Sequence, residues 1–84
     1  MVTSTDILEL LDPYLVRIPK EMISDDLPLV QQGLDSLDMA TLLFEVEGKF
    51  DVLIPTNVVG HLRSLRDISE FLNAARARGA AEAK

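Results

Sequence analysis

Apolar residues recur in three helix-like stretches, separated by two segments in which the period is lost. Cap-forming residues (Thr3, Ser4, Thr5, Asp6) open the first stretch, and Ile7, Leu8, Leu11, Tyr14, Leu15 and Ile18 follow near helical spacing. Pro13 interrupts it, because an interior proline removes a hydrogen bond and clashes with the preceding turn. The pattern predicts one bent helix, with a restart capped by Asp12 as the alternative. Asp35 to Phe50 is the clearest helix: Asp35 suits the N-cap, and Asp38 adds a carboxylate at the positive end of the dipole. Met39, Leu42, Leu43, Val46 and Phe50 form a stripe expected to face the core. Leu37, Thr41, Phe44 and Gly48 form a second stripe, too apolar for a plain solvent face. In the third stretch Ser64-Leu65-Arg66-Asp67 has the form of a capping box with aspartate in its last place. Leu65, Ile68, Phe71, Leu72 and Ala75 then give an amphipathic helix predicted to close before Gly79.

The connections are less regular. Pro19, Pro28, Ser24-Asp25-Asp26 and Gly33 mark a long loop. Its apolar Met22, Ile23, Leu27, Leu29, Val30 and Leu34 predict an ordered strap lying on the core. In the second connection Val52, Leu53 and Ile54 are expected to tuck inward, before a short turn at Thr56-Asn57-Val58-Val59 that Gly60 ends. The fold class is all-α: a four-helix bundle of three main helices and one short one, with a long first loop. One domain is expected over residues 1–78, with a flexible tail over 79–84.

Composition narrows the chemistry. With three Phe, one Tyr and no Trp, the core must be aliphatic, and with no cysteine there is neither a disulfide nor a thiolate metal site. The cytosol is the default compartment, no apolar run is long enough to cross a bilayer, and the N-terminus does not read as a signal peptide. Residues 1–60 carry a balance of −8 and residues 61–84 one of +2. An acidic body argues against nucleic acid and suits a partner with a basic docking patch, though it also serves solubility.

An enzymatic reading finds little support. His61 is the one histidine, and nothing in sequence ties it to a nucleophile. Neither Asp25-Asp26 nor Asp35 with Asp38 has metal-ligand spacing, so no metal and no catalytic residue is expected. Ser36 stands apart. It opens a helix just after Gly33, which permits a sharp turn, so its hydroxyl is expected to point outward. A phosphodiester there would face unpaired backbone N–H groups and the positive helix end. Asp35-Ser36 taken alone reads equally well as a simple helix cap.

The wider setting changes that balance. Gly33-Leu34-Asp35-Ser36-Leu37-Asp38, the apolar helix that follows, and Phe50-Asp51-Val52-Leu53-Ile54-Pro55 together resemble the acyl carrier protein family. Its signature is Gly-x-Asp-Ser-Leu, and its second helix commonly closes on Phe-x-x-x-Ile-Pro. Leu27-Pro28-Leu29 and Ser64-Leu65-Arg66-Asp67-Ile68 extend the resemblance over roughly residues 4–75. It implies an acyl-carrier-like four-helix fold and a covalent 4′-phosphopantetheine on Ser36, added by a phosphopantetheinyl transferase using coenzyme A and magnesium. The arm would hold an acyl or aminoacyl thioester, loaded by an activating enzyme and passed to an acyltransferase or synthase. Such a carrier has no catalysis of its own and is expected to be a discrete cytoplasmic monomer binding neither nucleic acid nor membrane. By position, Asp35, Leu37, Asp38, Thr41, Phe44, Glu45, Glu47 and Gly48 are its docking residues.

Departures from the family pattern point to a pathway. Val30-Gln31-Gln32 replaces an Asp-Leu-Gly-like approach, Thr41 an acidic residue, and Gly48 part of a glutamate run. Leu34 before Asp35 is similar to carriers of polyketide or other specialised pathways, including antibiotic biosynthesis. Aspartate rather than histidine before the serine leans away from peptidyl carriers. A fatty-acid carrier, an aminoacyl carrier, an unmodified interaction module and a small Ser36 hydrolase remain the alternatives.

Overall fold

A computed structural model describes residues 1–15 and 18–82, with side chains as far as residue 77. The first helix, α1 (Ser4–Leu11), starts at a complete capping box. The Thr3 hydroxyl accepts from the Asp6 N–H at 3.3 Å, and the Thr3 N–H donates to the Asp6 carboxylate at 3.0 Å. Ile7 and Leu11 on this helix are wholly buried.

The helix does not continue as one bent rod to Ile18, as the apolar spacing suggested. It ends at Leu11 and passes into a single 3₁₀ turn, Asp12–Tyr14. The reason is Pro13: in an α-helix its ring would press on the carbonyl four residues back, and it has no N–H to offer. Residues 16 and 17, within the expected helix, lie outside the described residues.

The long loop that follows is ordered by two further 3₁₀ turns, Lys20–Met22 and Leu29–Gln32, and by one side chain. The Gln32 amide accepts from the Ser24 N–H at 2.7 Å and donates to the Ser24 and Leu27 carbonyls at 3.1 and 2.9 Å. Two backbone bonds then fasten the loop to the start of the last helix, α4 (Leu65–Glu82). The Leu29 N–H donates to the Arg63 carbonyl at 2.8 Å, and the Arg66 N–H to the Asp25 carbonyl at 3.0 Å. Ile23, Leu29 and Leu34 are buried as a strap on the core requires, but Met22, Leu27 and Val30 are exposed. Met22 and Val30 sit in 3₁₀ turns, which present successive residues to different sides, and Leu27 lies in the bend between the two turns.

Helix α2 (Ser36–Phe50) buries Leu42, Leu43 and Val46. It ends at Asp51, which adopts φ 54° and ψ 50° as a left-handed cap. The Glu47 carbonyl accepts from Val52 at 3.3 Å, and the Glu47 carboxylate accepts from the Ile54 N–H at 2.8 Å. Ile54 is therefore drawn into the core, Val52 is half-buried, and Leu53 between them points outward at 84% exposure. The expectation that all three tuck inward fails at Leu53, since an extended chain sends neighbours to opposite sides.

Short α3 (Thr56–Val59) stops at Gly60, and α4 (Leu65–Glu82) opens on the Ser64–Asp67 box. Leu65, Ile68 and Leu72 are wholly buried, and α1 packs against both α2 and α4. Asn73 receives the Val2 N–H at 2.8 Å and donates to the Val2 carbonyl at 2.9 Å, which seats Val2 against the core. α4 does not close before Gly79. Its backbone stays helical to Glu82, because the surrounding alanines offset the roughly 1 kcal/mol that one glycine costs. The rest of the expected tail, residues 83 and 84, lies outside the described residues. The fold is an all-α bundle of three longer helices and one short one, with no strand among the described residues. No described helix is long and apolar enough to cross a membrane.

Candidate functional site

The start of α2 is set by a left-handed glycine. Gly33 has φ 114°, and a Cβ added there would lie 2.6 Å from the Ile18 side chain. The turn is closed by the Leu34 N–H, which donates to the Leu29 carbonyl at 3.2 Å, while the buried Leu34 side chain anchors it below. Asp35 then caps the helix. Its carboxylate accepts from the Asp38 N–H at 2.8 Å, and its own N–H donates to the Asp38 carboxylate at 3.3 Å.

This division of labour leaves Ser36 uncommitted. It occupies the first helical position, is exposed, and its hydroxyl bonds no group among the described residues. Because Asp35 performs the capping, the serine is not needed for it. Beside Ser36 opens an apolar hollow of about 280 Å³ between α2 and α3, walled by Val30, Met39, Leu43, Val59 and Leu62. A second hollow of about 290 Å³ continues from it toward Phe44 and Ile54, sharing Ala40, Leu43 and Val59. The sequence did not disclose this seam. Met39 and Leu43 belong to the periodic stripe of α2, but the facing walls come from a loop, a short helix and the linker after it, which have no apolar periodicity.

A family model described as the phosphopantetheine attachment site matches residues 15–72, a span that contains Ser36. The chain is 32% identical over 72 residues to an acyl carrier protein of Syntrophus aciditrophicus, covering 86% of this chain and 90% of that one. It is 34% identical over 68 residues to the mitochondrial acyl carrier protein of Saccharomyces cerevisiae, covering 80% of this chain and 54% of that one. An acyl carrier protein of Micrococcus luteus is 34% identical over 59 residues, or 70% of this chain and 67% of that one. The chain belongs to the acyl carrier protein family.

An acyl carrier protein bears a covalently attached 4′-phosphopantetheine. The start of α2 suits such a group: an accessible hydroxyl, first-turn N–H groups without helical acceptors, and an adjoining apolar hollow. Of the eight expected docking residues on this acyl carrier protein, Asp35, Leu37, Phe44, Glu45 and Gly48 are exposed, while Asp38, Thr41 and Glu47 are half-buried. Besides Asp35 and Asp38, paired in the capping box, three of the eight have side-chain partners within the molecule. The Thr41 hydroxyl donates to the Leu37 carbonyl at 3.0 Å, Glu47 holds Ile54, and Glu45 makes a long 3.5 Å contact with the Tyr14 hydroxyl. Leu37 and Phe44 stand out from the surface at 73% exposure each, so Phe44 is not a core residue. His61 is exposed, and no cluster of three or more metal-ligating side chains occurs among the described residues.

Proposed function

We propose that Ser36 is the attachment point and that this carrier presents acyl or aminoacyl thioesters to enzymes of polyketide or other specialised-metabolite biosynthesis. The observation that carries the first half is the exposed, unbonded hydroxyl of Ser36 beside a cap that does not need it. A phosphopantetheinyl transferase would direct that oxygen at the phosphorus of coenzyme A that bears the pantetheine. The new Oγ–P bond replaces the phosphoanhydride bond, 3′,5′-ADP leaves, and the serine proton passes to a base of the transferase. The arm then supplies a thiol that holds the cargo as a thioester. The protein contributes delivery and recognition, and an activating enzyme and an acyltransferase or synthase contribute the catalysis. It works as a cytoplasmic monomer.

The pathway half is supported by α2, which carries Thr41 and Gly48 where fatty-acid carriers often have acidic residues, and by Leu34 before Asp35. Leu37 and Phe44 form the short-range apolar contact of the docking face, with Asp35 and Glu45 steering basic partners. The apolar α2–α3 seam suits an aliphatic cargo and favours one alternative, fatty-acid synthesis. Co-expression with a promiscuous phosphopantetheinyl transferase followed by intact-mass measurement tests the attachment. One adduct is expected on the wild type and none on Ser36→Ala; an adduct on that variant overturns the site. Loading the holo carrier with matched fatty-acid and polyketide enzyme sets tests the pathway, and faster turnover by the fatty-acid set overturns it.

A further inference from the structure

We propose that Arg63 is a positioning residue that pairs with the phosphodiester on Ser36 and lays the arm along the α2–α3 seam. The inference rests on Ser36 being the attachment point. Arg63 and Ser36 line the same hollow, and Arg63 is the one charged side chain among the described residues that do so.

The residue is held firmly from its own backbone. Its carbonyl accepts from Leu29 at 2.8 Å, its N–H donates to the Asp67 carboxylate at 3.2 Å, and its Nε donates to the Gly60 carbonyl at 3.1 Å. The two terminal nitrogens of the guanidinium make no hydrogen bond or ion pair among the described residues. Arg66, three positions on, differs: its guanidinium is engaged by Asp26. A guanidinium anchored at Nε and open at its outer edge presents the planar pair of donors that matches a phosphate.

The charges around Ser36 make such a partner necessary on one side only. Asp35 and Asp38 flank the serine, and both carboxylates are turned to the capping box at the helix start. A phosphodiester on Ser36 meets negative charge toward the loop, where Asp35 and Asp38 line a hollow with Tyr14, Leu15 and Gly33. Toward α3 it meets Arg63 and the apolar walls of Val59 and Leu62. Charge and apolar surface therefore agree on one direction for the arm. Because Arg63 is exposed, its attraction is screened by salt.

The test uses holo protein with ¹³C-labelled methyl groups, reading nuclear Overhauser contacts from the pantetheine methyls to Val59 and Leu62. Contacts are expected in the wild type and should fall at least by half between about 0.1 M and about 1 M sodium chloride, as the screening length drops from about 10 to about 3 Å. In Arg63→Gln they should be lost at both salt concentrations. Arg63→Lys keeps the charge but loses the Gly60 anchor and the planar pair of donors, and should retain part of them. Absent contacts in the wild type, contacts insensitive to salt, or a loss in Arg63→Lys equal to that in Arg63→Gln would each overturn the proposal. The salt titration needs no variant, so a poorly folded substitution does not block it. Intact mass keeps the two readings apart: a single adduct without methyl contacts defeats Arg63 alone, whereas an adduct on Ser36→Ala defeats the attachment site.

Discussion

Helices α2 and α4 begin with the same device and use it to opposite ends. Each opens on a reciprocal box closed by an aspartate three residues after the cap, Asp35 with Asp38 and Ser64 with Asp67. At α4 the cap is itself a serine, 3% exposed, whose hydroxyl accepts from the Asp67 N–H at 3.1 Å. At α2 an aspartate takes that duty, and the serine moves one place into the helix, exposed and bonded to no group among the described residues. Ser64 is consumed by the fold, while Ser36 is released by it. A serine at a helix start is thus informative only when another residue has been given the capping role.

Two alanine substitutions should cross over. Ser36→Ala is expected to abolish phosphopantetheine loading while leaving stability within about 0.5 kcal/mol, as for a surface change. Ser64→Ala should load normally yet lose about 1 kcal/mol from the cap. Denaturant titration and intact mass on both variants check this; loss of loading in Ser64→Ala, or destabilisation in Ser36→Ala, would collapse the distinction. Next in size is Gly33→Ala, which has no counterpart before α4. At φ 114° a side chain is strained, and its Cβ must displace the Ile18 side chain, so a cost of about 1–3 kcal/mol is expected. The loading rate should fall several-fold as the entry to α2 shifts, but not to zero.

The same contrast extends along the two helices through their phenylalanines. Phe44 on α2 is 73% exposed, whereas Phe71 on α4 is half-buried against the core. Phe71→Ala should cost about 2 kcal/mol, less than a wholly buried phenylalanine, and leave cargo transfer intact. Phe44→Ala should change stability by less than about 0.5 kcal/mol and lower kcat/KM of the receiving enzyme about tenfold, or ~1.4 kcal/mol. Asp35→Ala combines both effects, losing about 1 kcal/mol of capping and slowing transfer by more than that loss explains. Unchanged transfer in Phe44→Ala and Asp35→Ala together would remove α2 as the docking face.

What sequence disclosed follows from how local each feature is. The Asp35 cap, the Ser64–Asp67 box, the buried stripe of α2 and the exposed Leu37–Phe44 stripe were legible, because one helix and its first turn contain all that defines them. Asp38, by contrast, was read as a dipole partner and not as the closing half of a box. Pro13 was visible, but whether it bends or ends a helix depends on packing beyond its own turn. Leu53, Met22 and Val30 were misplaced for a related reason: in short extended or 3₁₀ segments, apolar character does not say which side the chain presents. The seam beside Ser36 was hidden altogether. Val30, Met39, Val59 and Arg63 meet there from a loop, two helices and a linker, and no spacing in the chain records that meeting.

The smallest expected effect concerns how the start of α4 is fixed to the long loop. Asp26 and Arg66 form an ion pair between exposed side chains, and the Asp26 hydrogen bond, followed by its charge, raises the Arg66 pKa above its ordinary value. The pair looks like the fastening, yet exposed pairs are screened by water and salt and must hold two side chains in one geometry. The backbone bonds from Leu29 to Arg63 and from Arg66 to Asp25 span the same junction without either disadvantage, and Gln32 orders the loop from its other side. Asp26→Asn is therefore expected to leave the melting temperature unchanged within error at any salt concentration, whereas Gln32→Ala should lower it by removing three hydrogen bonds. A salt-dependent loss in Asp26→Asn would mean that the charge, and not the backbone, holds the loop on α4. The buried Ser64 box would then owe its rigidity to a surface contact, and the contrast with α2 would weaken accordingly.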